Sequence, residues 1–333
     1  MYTAAVIGCG RAGFLYDLDP KRKEVFSHIG GYASSKKISK ILAADKNKKN
    51  LLTVKKKHPE IDVFDSAVEL FSREKVDIVS LATPAEIRLE HINLAIENKA
   101  RAIFCEKPMS SSIEEAKKII KACEDSGTIL AVNHFRRWDN LHLLMSEMIG
   151  SGKIGSIQNI LVKYNKGILN TGSHIFDAIS MMFGKIKSVR CIGVSKESSE
   201  DPTLHIHGKT ESGLDFFLIG SDHDHFRLFE IEVLGTKGRI INDNGYEYSL
   251  QETVDSDKNS EFKILSNPDM STIVGGRTGH YESAVENIIS CIEKGGSPLC
   301  SGIEGINSLS AAFASIESYR KNGSIELLDN FLI

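Results

Sequence analysis

A glycine-rich turn eight residues into the chain constrains the rest of it. Tyr2 to Ile7 is a short β-branched and apolar run that stops at Gly8-Cys9-Gly10-Arg11-Ala12-Gly13, so a GxGxxG pattern comes after a predicted strand and is expected to open a helix. Each glycine has its own task. Gly8 permits the tight turn, Gly10 lets the backbone approach a pyrophosphate, and Gly13 lets the next element pack close to the strand, while N–H groups of the helix start face the anion. The second strand, Ile38 to Ala44, ends at Asp45, where a dinucleotide-binding unit places an acid for the ribose hydroxyls. Asp45 lies 32 residues beyond Gly13, against about 20 in the simple fingerprint. An insertion is therefore expected, broken by Asp19-Pro20-Lys21-Arg22-Lys23 and returned to the sheet by Ser27 to Tyr32. A carboxylate at position 45 repels a 2′-phosphate and favours NAD, while Lys46, Lys48 and Lys49 keep NADP open.

The alternation of short apolar runs with helical periods continues to Asn133. It predicts helices over Ser66–Glu74, Ala85–Asn98 and Ser112–Ser126, and strands over Val76–Ala82, Ala102–Cys105 and Thr128–Asn133. This is the pattern of a parallel, doubly wound sheet. Thr83-Pro84 ends one strand at its carboxyl end, beside the expected nicotinamide side, and Glu106-Lys107-Pro108 ends the next. Lys107 thus falls where open α/β sheets bind their ligands; by itself it reads as a solvated charge. A cis bond before Pro108 is compatible with this turn.

Beyond Asn133 the character changes. A helix is expected over Asp139–Met148, and then short alternating strands dominate: Ile157–Tyr164, Lys187–Val194, Thr203–Lys209, Leu214–Gly220, Arg227–Leu234, Arg239–Asn242 and Tyr246–Gln251. They imply a largely antiparallel sheet. One helix interrupts it, opened by Asn170-Thr171-Gly172-Ser173-His174 and closed near Gly184, which puts His174 and Asp177 on one face. Helices over Arg277–Lys294 and Ile303–Lys321 finish the chain. The expected architecture is α/β: a Rossmann doubly wound parallel sheet over 1–134, then an α+β domain over 135–333 with a mostly antiparallel sheet, the last helix free to pack back on the first domain.

Composition narrows the partners. At 333 residues and 41% hydrophobic content the chain can bury two cores. Its formal charge of −3 gives no electrostatic case for nucleic acid or an anionic membrane. No window reads as a bilayer span. The stretch from Met1 to Gly13 lacks the basic region of a signal peptide, so a cytoplasmic protein is expected. The six cysteines are scattered, as small buried thiols of a reducing compartment would be; Cys9, inside the glycine turn, would be open to alkylation when nothing covers it. His205 with His207, and Asp222-His223-Asp224-His225, suggest metal ligands only weakly, and no metal is expected. Arg136, Arg137, Lys163 and Arg277 suit either a phosphorylated or nucleotide-linked sugar or plain surface charge.

The ordered set of Gly8 to Gly13, Thr83-Pro84 with His91 on the next helix, Glu106-Lys107-Pro108, Gly172-Ser173-His174-Ile175-Phe176-Asp177 and the turn Leu234 to Gly238 resembles the glucose-fructose oxidoreductase, inositol dehydrogenase and MocA family over nearly the whole chain. The resemblance implies tightly held NAD(P), contacted by Gly8, Cys9, Gly10, Arg11, Ala12, Gly13, Asp45, Thr83, Pro84, His91, Glu106 and Lys107. It also implies oxidation or reduction of a secondary hydroxyl or keto group on a sugar, sugar derivative or cyclitol, in a homodimer or homotetramer. The resemblance further implies that the sheet of the second domain, 135–333, is large and open and that this domain binds substrate and forms the oligomer. His174 would then accept the hydroxyl proton, Lys107 would stabilise the developing negative charge, and Asp177 would hold the substrate.

One position departs from the family. An aspartate often stands four residues before the catalytic histidine, and here it is Asn170. An amide can hold a hydroxyl or orient the imidazole but cannot take a proton. Two other readings therefore stay open: a dinucleotide-binding regulator without turnover, and a redox-cycling hydrolase or epimerase that regenerates its NAD.

Overall fold

The computed structural model describes residues 1–244, 247–258, 260–267 and 279–329. The chain forms two compact units, Met1–Trp138 with Thr278–Ile306 and Asp139–Arg277 with Asn307–Ile333.

In the first unit, β1 (Tyr2–Ile7), β2 (Ile38–Ala44), β3 (Asp62–Phe64), β4 (Ile78–Leu81), β5 (Ala102–Cys105) and β6 (Ile129–Val132) make a sheet of order β3-β2-β1-β4-β5-β6. Every pairing is parallel. Because β1 lies between β2 and β4, the strand order reverses there, and the carboxyl ends of β1 and β4 frame the crevice that such sheets use for ligands. β4 and β5 are buried along their whole length, which is why they read as unbroken apolar runs. The connecting helices are α1 (His28–Ser34), α2 (Lys48–Lys57), α3 (Ala67–Arg73), α4 (Arg88–Glu97) and α5 (Ile113–Ser126). Four of them start on a side chain that accepts a backbone N–H: Ser27, Asn47, Ser66 and Ser112. Each such cap is worth about 1 kcal/mol. α2 and β3 are additions to the sequence expectation, and α2 carries the lysines that come after Asp45.

The second unit opens with α6 (Asn140–Gly150), β7 (Ile157–Asn165) and α7 (Ser173–Phe183). Next come strands β8 (Ile186–Lys196), β9 (Thr203–Thr210), β10 (Asp215–Ser221), β11 (Phe229–Gly235), β12 (Gly238–Asp243), β13 (Glu247–Asp255) and β14 (Lys263–Leu265). The expected start of the seventh strand at Tyr246 lies outside the described residues. Burial alternates residue by residue along β10 and β11, the mark of a sheet with one packed face. Ile160, Val162, Phe216, Leu218, Ile231 and Val233 join Phe176 and Ile179 of α7 in that core. The sheet is not wholly antiparallel, because β10 runs parallel to β7.

α8 (His280–Lys294), α9 (Gly302–Arg320) and β15 (Ile325–Leu327) complete the chain. Arg277, the expected start of the eighth helix, lies outside the described residues. β15 pairs with β8 as a terminal strand of the second sheet, in the order β14-β13-β12-β11-β7-β10-β9-β8-β15. The compact units differ from a single division at residue 134, since α8 groups with the first unit and most of α9 with the second. The physical reason is the apolar face of α8, including Tyr281, Ala284 and Ile288. A Cβ on Gly31 of α1 would sit 3.0 Å from Cβ of Tyr281, so a larger residue there would press α1 and α8 apart by a few tenths of an ångström. Among the described residues, no helix is long and apolar enough to cross a membrane.

Candidate functional site

The segment after the glycine turn departs from expectation. No α-helix opens after Gly13. The N–H groups of Phe14 and Leu15 both donate to the Gly10 carbonyl and Tyr16 donates to Arg11, which makes one wide turn, and Leu15–Leu18 then form a 3₁₀ turn. The insertion is the cause. Asp17 closes it like a clasp, accepting from the Phe26 backbone N–H at 2.6 Å and the Ser27 hydroxyl at 2.5 Å, so α1 begins only at His28. The N–H groups of Arg11, Ala12 and Gly13 precede the first of these hydrogen bonds, as do those of a helix's first turn.

The turn fits a pyrophosphate. Gly8 has φ +93° and its missing Cβ would lie 2.8 Å from the Ala82 carbonyl oxygen; a Cβ on Gly13 would lie 1.9 Å from the Gly8 carbonyl oxygen. Both are pressed against protein. Gly10 is different: a Cβ there would meet nothing within 4 Å, so its backbone faces space that a ligand can approach closely. Asp45 is bound into this corner, accepting from the Cys9 N–H at 2.8 Å, the Asn50 amide at 2.8 Å and the Asn47 N–H at 2.7 Å. A carboxylate has about four acceptor sites, so ribose hydroxyls remain compatible with these three. Lys48 pairs with Asp65 at 3.1 Å. Cys9 is not the reactive thiol the turn suggested: it is fully buried, and burial, with the Asp45 charge adding to it, pushes its pKa up to about 12.

The next two strand ends are joined by one arginine. At the end of β4, the Thr83 hydroxyl lies 3.3 Å from Nδ1 of His91, whose pKa burial lowers against the opposing charge of Glu90. Arg88, at the start of α4 and only 4% exposed, donates from Nε and Nη2 to the Thr83 carbonyl at 3.0 and 2.7 Å. Its Nη1 donates to the carbonyls of Glu106 and Pro108. Lys107 sits between those two residues, half-buried, and its bond to Pro108 is cis.

Glu106 was expected at the cofactor. Its carboxylate engages the protein, with Oε1 lying 3.1 Å from Nε2 of His28 and accepting from the Asn133 amide at 2.6 Å and the Tyr281 hydroxyl at 3.4 Å. Behind His28, the Ser80 hydroxyl stands 2.8 Å from Nδ1, and Tyr32 stands 2.7 Å from Ser80. Burial alone would raise the Glu106 pKa; the His28 hydrogen bond and charge, with help from Asn133 and Arg88, outweigh it and hold it at about 2. An ionised carboxylate only accepts, so Nε2 of His28 carries the proton toward Glu106.

In the second unit, Asn170 lies in a π-helical turn, Gly167–Gly172, that runs directly into α7. Asp201 fixes this turn by accepting from the N–H groups of Leu169 at 2.6 Å and Asn170 at 3.0 Å. His174 is half-buried and Asp177 buried on the first turns of α7. Of the suspected metal ligands, Asp222, His223 and Asp224 have ligand atoms within 4.8 Å of one another, all three exposed. His207 bonds Asp215 at 2.7 Å, His205 accepts from the Gly220 N–H, and the Lys196 ammonium lies 2.8 and 2.6 Å from Asp222 and Asp224. Of the basic side chains, Lys163 pairs with Glu230 and Arg137 donates to the Leu299 carbonyl; Arg277 lies outside the described residues. Arg88, His28, Asn133, Tyr281 and Asp201 were missed by the sequence reading. None belongs to a local pattern, because each acts on a residue distant in the chain.

The sequence matches the model of the GFO/IDH/MocA oxidoreductase family, NAD-binding Rossmann fold, over residues 2–134, and that of its C-terminal alpha/beta domain over residues 146–327. The chain belongs to this family. A curated relative, scyllo-inositol 2-dehydrogenase (NADP(+)) IolW of Bacillus subtilis, is 23% identical over 323 residues, covering 82% of this chain and 85% of its own. An oxidoreductase from Agrobacterium radiobacter, solved in complex with NAD+, L-tartaric acid and magnesium, superimposes with a TM-score of 0.78 at 18% identity over 99% of both chains. The WlbA dehydrogenase from Bordetella pertussis, in complex with NADH and UDP-GlcNAcA, gives 0.74 at 19% identity over 97% of this chain and 98% of its own. At such identities the structures establish the fold alone. Family membership makes this chain an NAD(P)-dependent oxidoreductase.

Proposed function

We propose that the chain moves a hydride between nicotinamide and a secondary hydroxyl or keto carbon of a sugar, a sugar derivative or a cyclitol. The observation that carries this reading is the end of β5, where Lys107 stands at the sheet's ligand-binding edge with both neighbouring carbonyls tied to Arg88. The cofactor, when bound, supplies the hydride acceptor or donor. The chain's own groups do the rest: the backbone from Gly8 to Gly13 meets the pyrophosphate, Asp45 the adenosine ribose, and Thr83, Pro84 and His91 flank the nicotinamide half. Lys107 donates to the reacting oxygen and stabilises its charge, His174 takes or returns the hydroxyl proton, and Asn170 and Asp177 orient the substrate. Asp45 favours NAD over NADP. Nucleotide-linked sugars belong among the candidates, given the ligand bound by the Bordetella dehydrogenase.

The protein is further proposed to be a cytoplasmic homo-oligomer. Its six cysteines are all free and buried, as suits a reducing compartment, and the outer face of the second sheet carries half-buried Leu161, Phe217, Ile219 and Ile241. Light scattering after gel filtration tests the assembly; a monomer at micromolar concentration would refute it.

The functional test is nicotinamide absorbance with NAD or NADP and a panel of cyclitols, aldoses and nucleotide sugars, with Lys107→Ala alongside. Reduction by wild type and not by the variant supports the dehydrogenase. Tight cofactor binding with no turnover on the panel would overturn it in favour of a regulator, and exchange of a sugar C–H hydrogen with solvent without net reduction would favour redox cycling.

A further inference from the structure

We propose that Arg88 is a positioning residue for Lys107, an inference that rests on the role given to Lys107 above. The geometry is that of a staple. One planar guanidinium reaches three carbonyls on two separate strand ends: Thr83 after β4, and Glu106 and Pro108 after β5. The last two are the residues on either side of Lys107. The Glu106 carbonyl belongs to the planar peptide unit that enters Lys107 and the Pro108 carbonyl to the unit that leaves Pro108, so with both held and the proline φ set by its ring, the short link through Lys107 has little backbone freedom.

A second set of bonds grips the same turn from a different direction. The Glu106 side chain is held by His28, Asn133 and Tyr281, which come from α1, the end of β6 and α8. His28, Ser80 and Tyr32 are all at most 1% exposed, while the Glu106 side chain keeps 15% of its surface, so water is kept from the His28 side of this network. The backbone at position 106 is therefore anchored through its carbonyl by Arg88 and through its side chain by His28.

Arg88 is suited to this by shape and not only by charge. A guanidinium presents donors in a fixed fork and serves several carbonyls at once, whereas an ammonium is a compact point charge that cannot span them in one plane. By the same bonds Arg88 keeps the Thr83-Pro84 turn in register with the lysine turn. These two turns flank the nicotinamide half in the proposed function, and a misplacement of about 1 Å in such a site costs on the order of a hundredfold in rate.

The test separates positioning from mere stability. Arg88→Ala and Arg88→Lys are compared with wild type, after reductive ¹³C-methylation of lysines, by NMR of the full-length protein. The Lys107 resonance is assigned by its loss in Lys107→Arg. A narrow Lys107 signal that shifts and broadens in Arg88→Ala, and recovers when methylguanidinium is added, is the expected result. An unchanged Lys107 signal would overturn the proposal, even if thermal stability falls. Where Arg88→Ala fails to fold, Arg88→Lys carries the test, with a partial shift expected and a wild-type signal refuting it.

Kinetics supply the second arm, using the cyclitol or sugar turned over fastest in the panel. Arg88→Ala should lower kcat about a hundredfold while NADH affinity, read by fluorescence, stays within about threefold. In the Lys107→Ala background the same change should cost less than about tenfold, because the part of its effect that acts through Lys107 is already lost and only its hold on the Thr83-Pro84 turn remains. An independent hundredfold loss in that background would overturn the proposal. Should Lys107→Ala itself keep wild-type turnover, the reaction assignment fails, and the NMR arm still judges Arg88.

Discussion

The lysine turn and the histidine turn are secured by opposite means. Around Lys107 the restraint comes from afar: Arg88, His28, Asn133 and Tyr281 converge on its neighbours from four elements. Ahead of His174 it comes from one short segment: a π-helical turn runs into α7, with Asp201 taking two successive N–H groups and the Thr203 hydroxyl a third. The contrast suits the tasks proposed. A lysine with four side-chain torsions needs a rigid base if its ammonium is to meet one oxygen, while an imidazole on a helix is already placed by its helix.

The largest effect should come from the reacting groups. Lys107→Ala is expected to lower kcat by about a thousandfold, and His174→Gln by about a hundredfold or more, with NADH affinity within about threefold in both. Equal and small losses in steady-state assays would break the comparison at its root.

Acid should next distinguish the two turns. The Glu106 pKa is depressed to about 2 in the folded protein, below about 4.3 for an unperturbed glutamate. A depressed carboxylate contributes stability above its unfolded pKa and loses it as pH falls, here between about 4.3 and 2, for roughly 3 kcal/mol in all. Thermal melts from pH 5 to pH 2.5 should therefore fall more steeply for wild type than for Glu106→Gln. Parallel slopes would show that the buried network does not hold the carboxylate ionised.

The glycines give a sharper pair. Gly13→Ala forces a Cβ against the Gly8 carbonyl and should destabilise the protein by about 2 kcal/mol or more, as overpacking does. Gly10→Ala meets no protein atom, so its melting temperature should match wild type while NADH binding weakens at least about tenfold. Unaltered cofactor affinity in Gly10→Ala would remove the pyrophosphate from this turn.

The smallest expected effect lies ahead of His174. Asp201→Ala leaves the N–H groups of Leu169 and Asn170 without their carboxylate and should cost about 1–2 kcal/mol in urea unfolding. It should lower turnover less than Arg88→Ala does. The reverse order would mean that the histidine turn is the more fragile support.

Much of the first unit was legible because its signals are local. β5 was read to its last residue, the serine caps of α3 and α5 were read as helix starts, and the strand order accords with βαβ alternation. The element after Gly13 was not legible, since the insertion closed by Asp17 diverts a helix start that the glycine pattern normally opens. Glu106 shows the same limit at the site. Its place beside Lys107 suggested a cofactor contact and said nothing of the carboxylate's three protein partners, which lie 78, 27 and 175 residues away.

The sequence by itself determined where the strand ends fall, which glycines stand in the first turn, and which titratable side chains come at those ends, because period, breaker and cap are properties of neighbouring residues. Only the tertiary structure decided what those side chains do once there. It made Arg88 the fastening of two turns, His28 the partner of a half-buried carboxylate, and Cys9 an inert thiol. Hydrogen bonds and desolvation depend on which atoms meet in space, and residues far apart in the chain meet only after the sheet has formed.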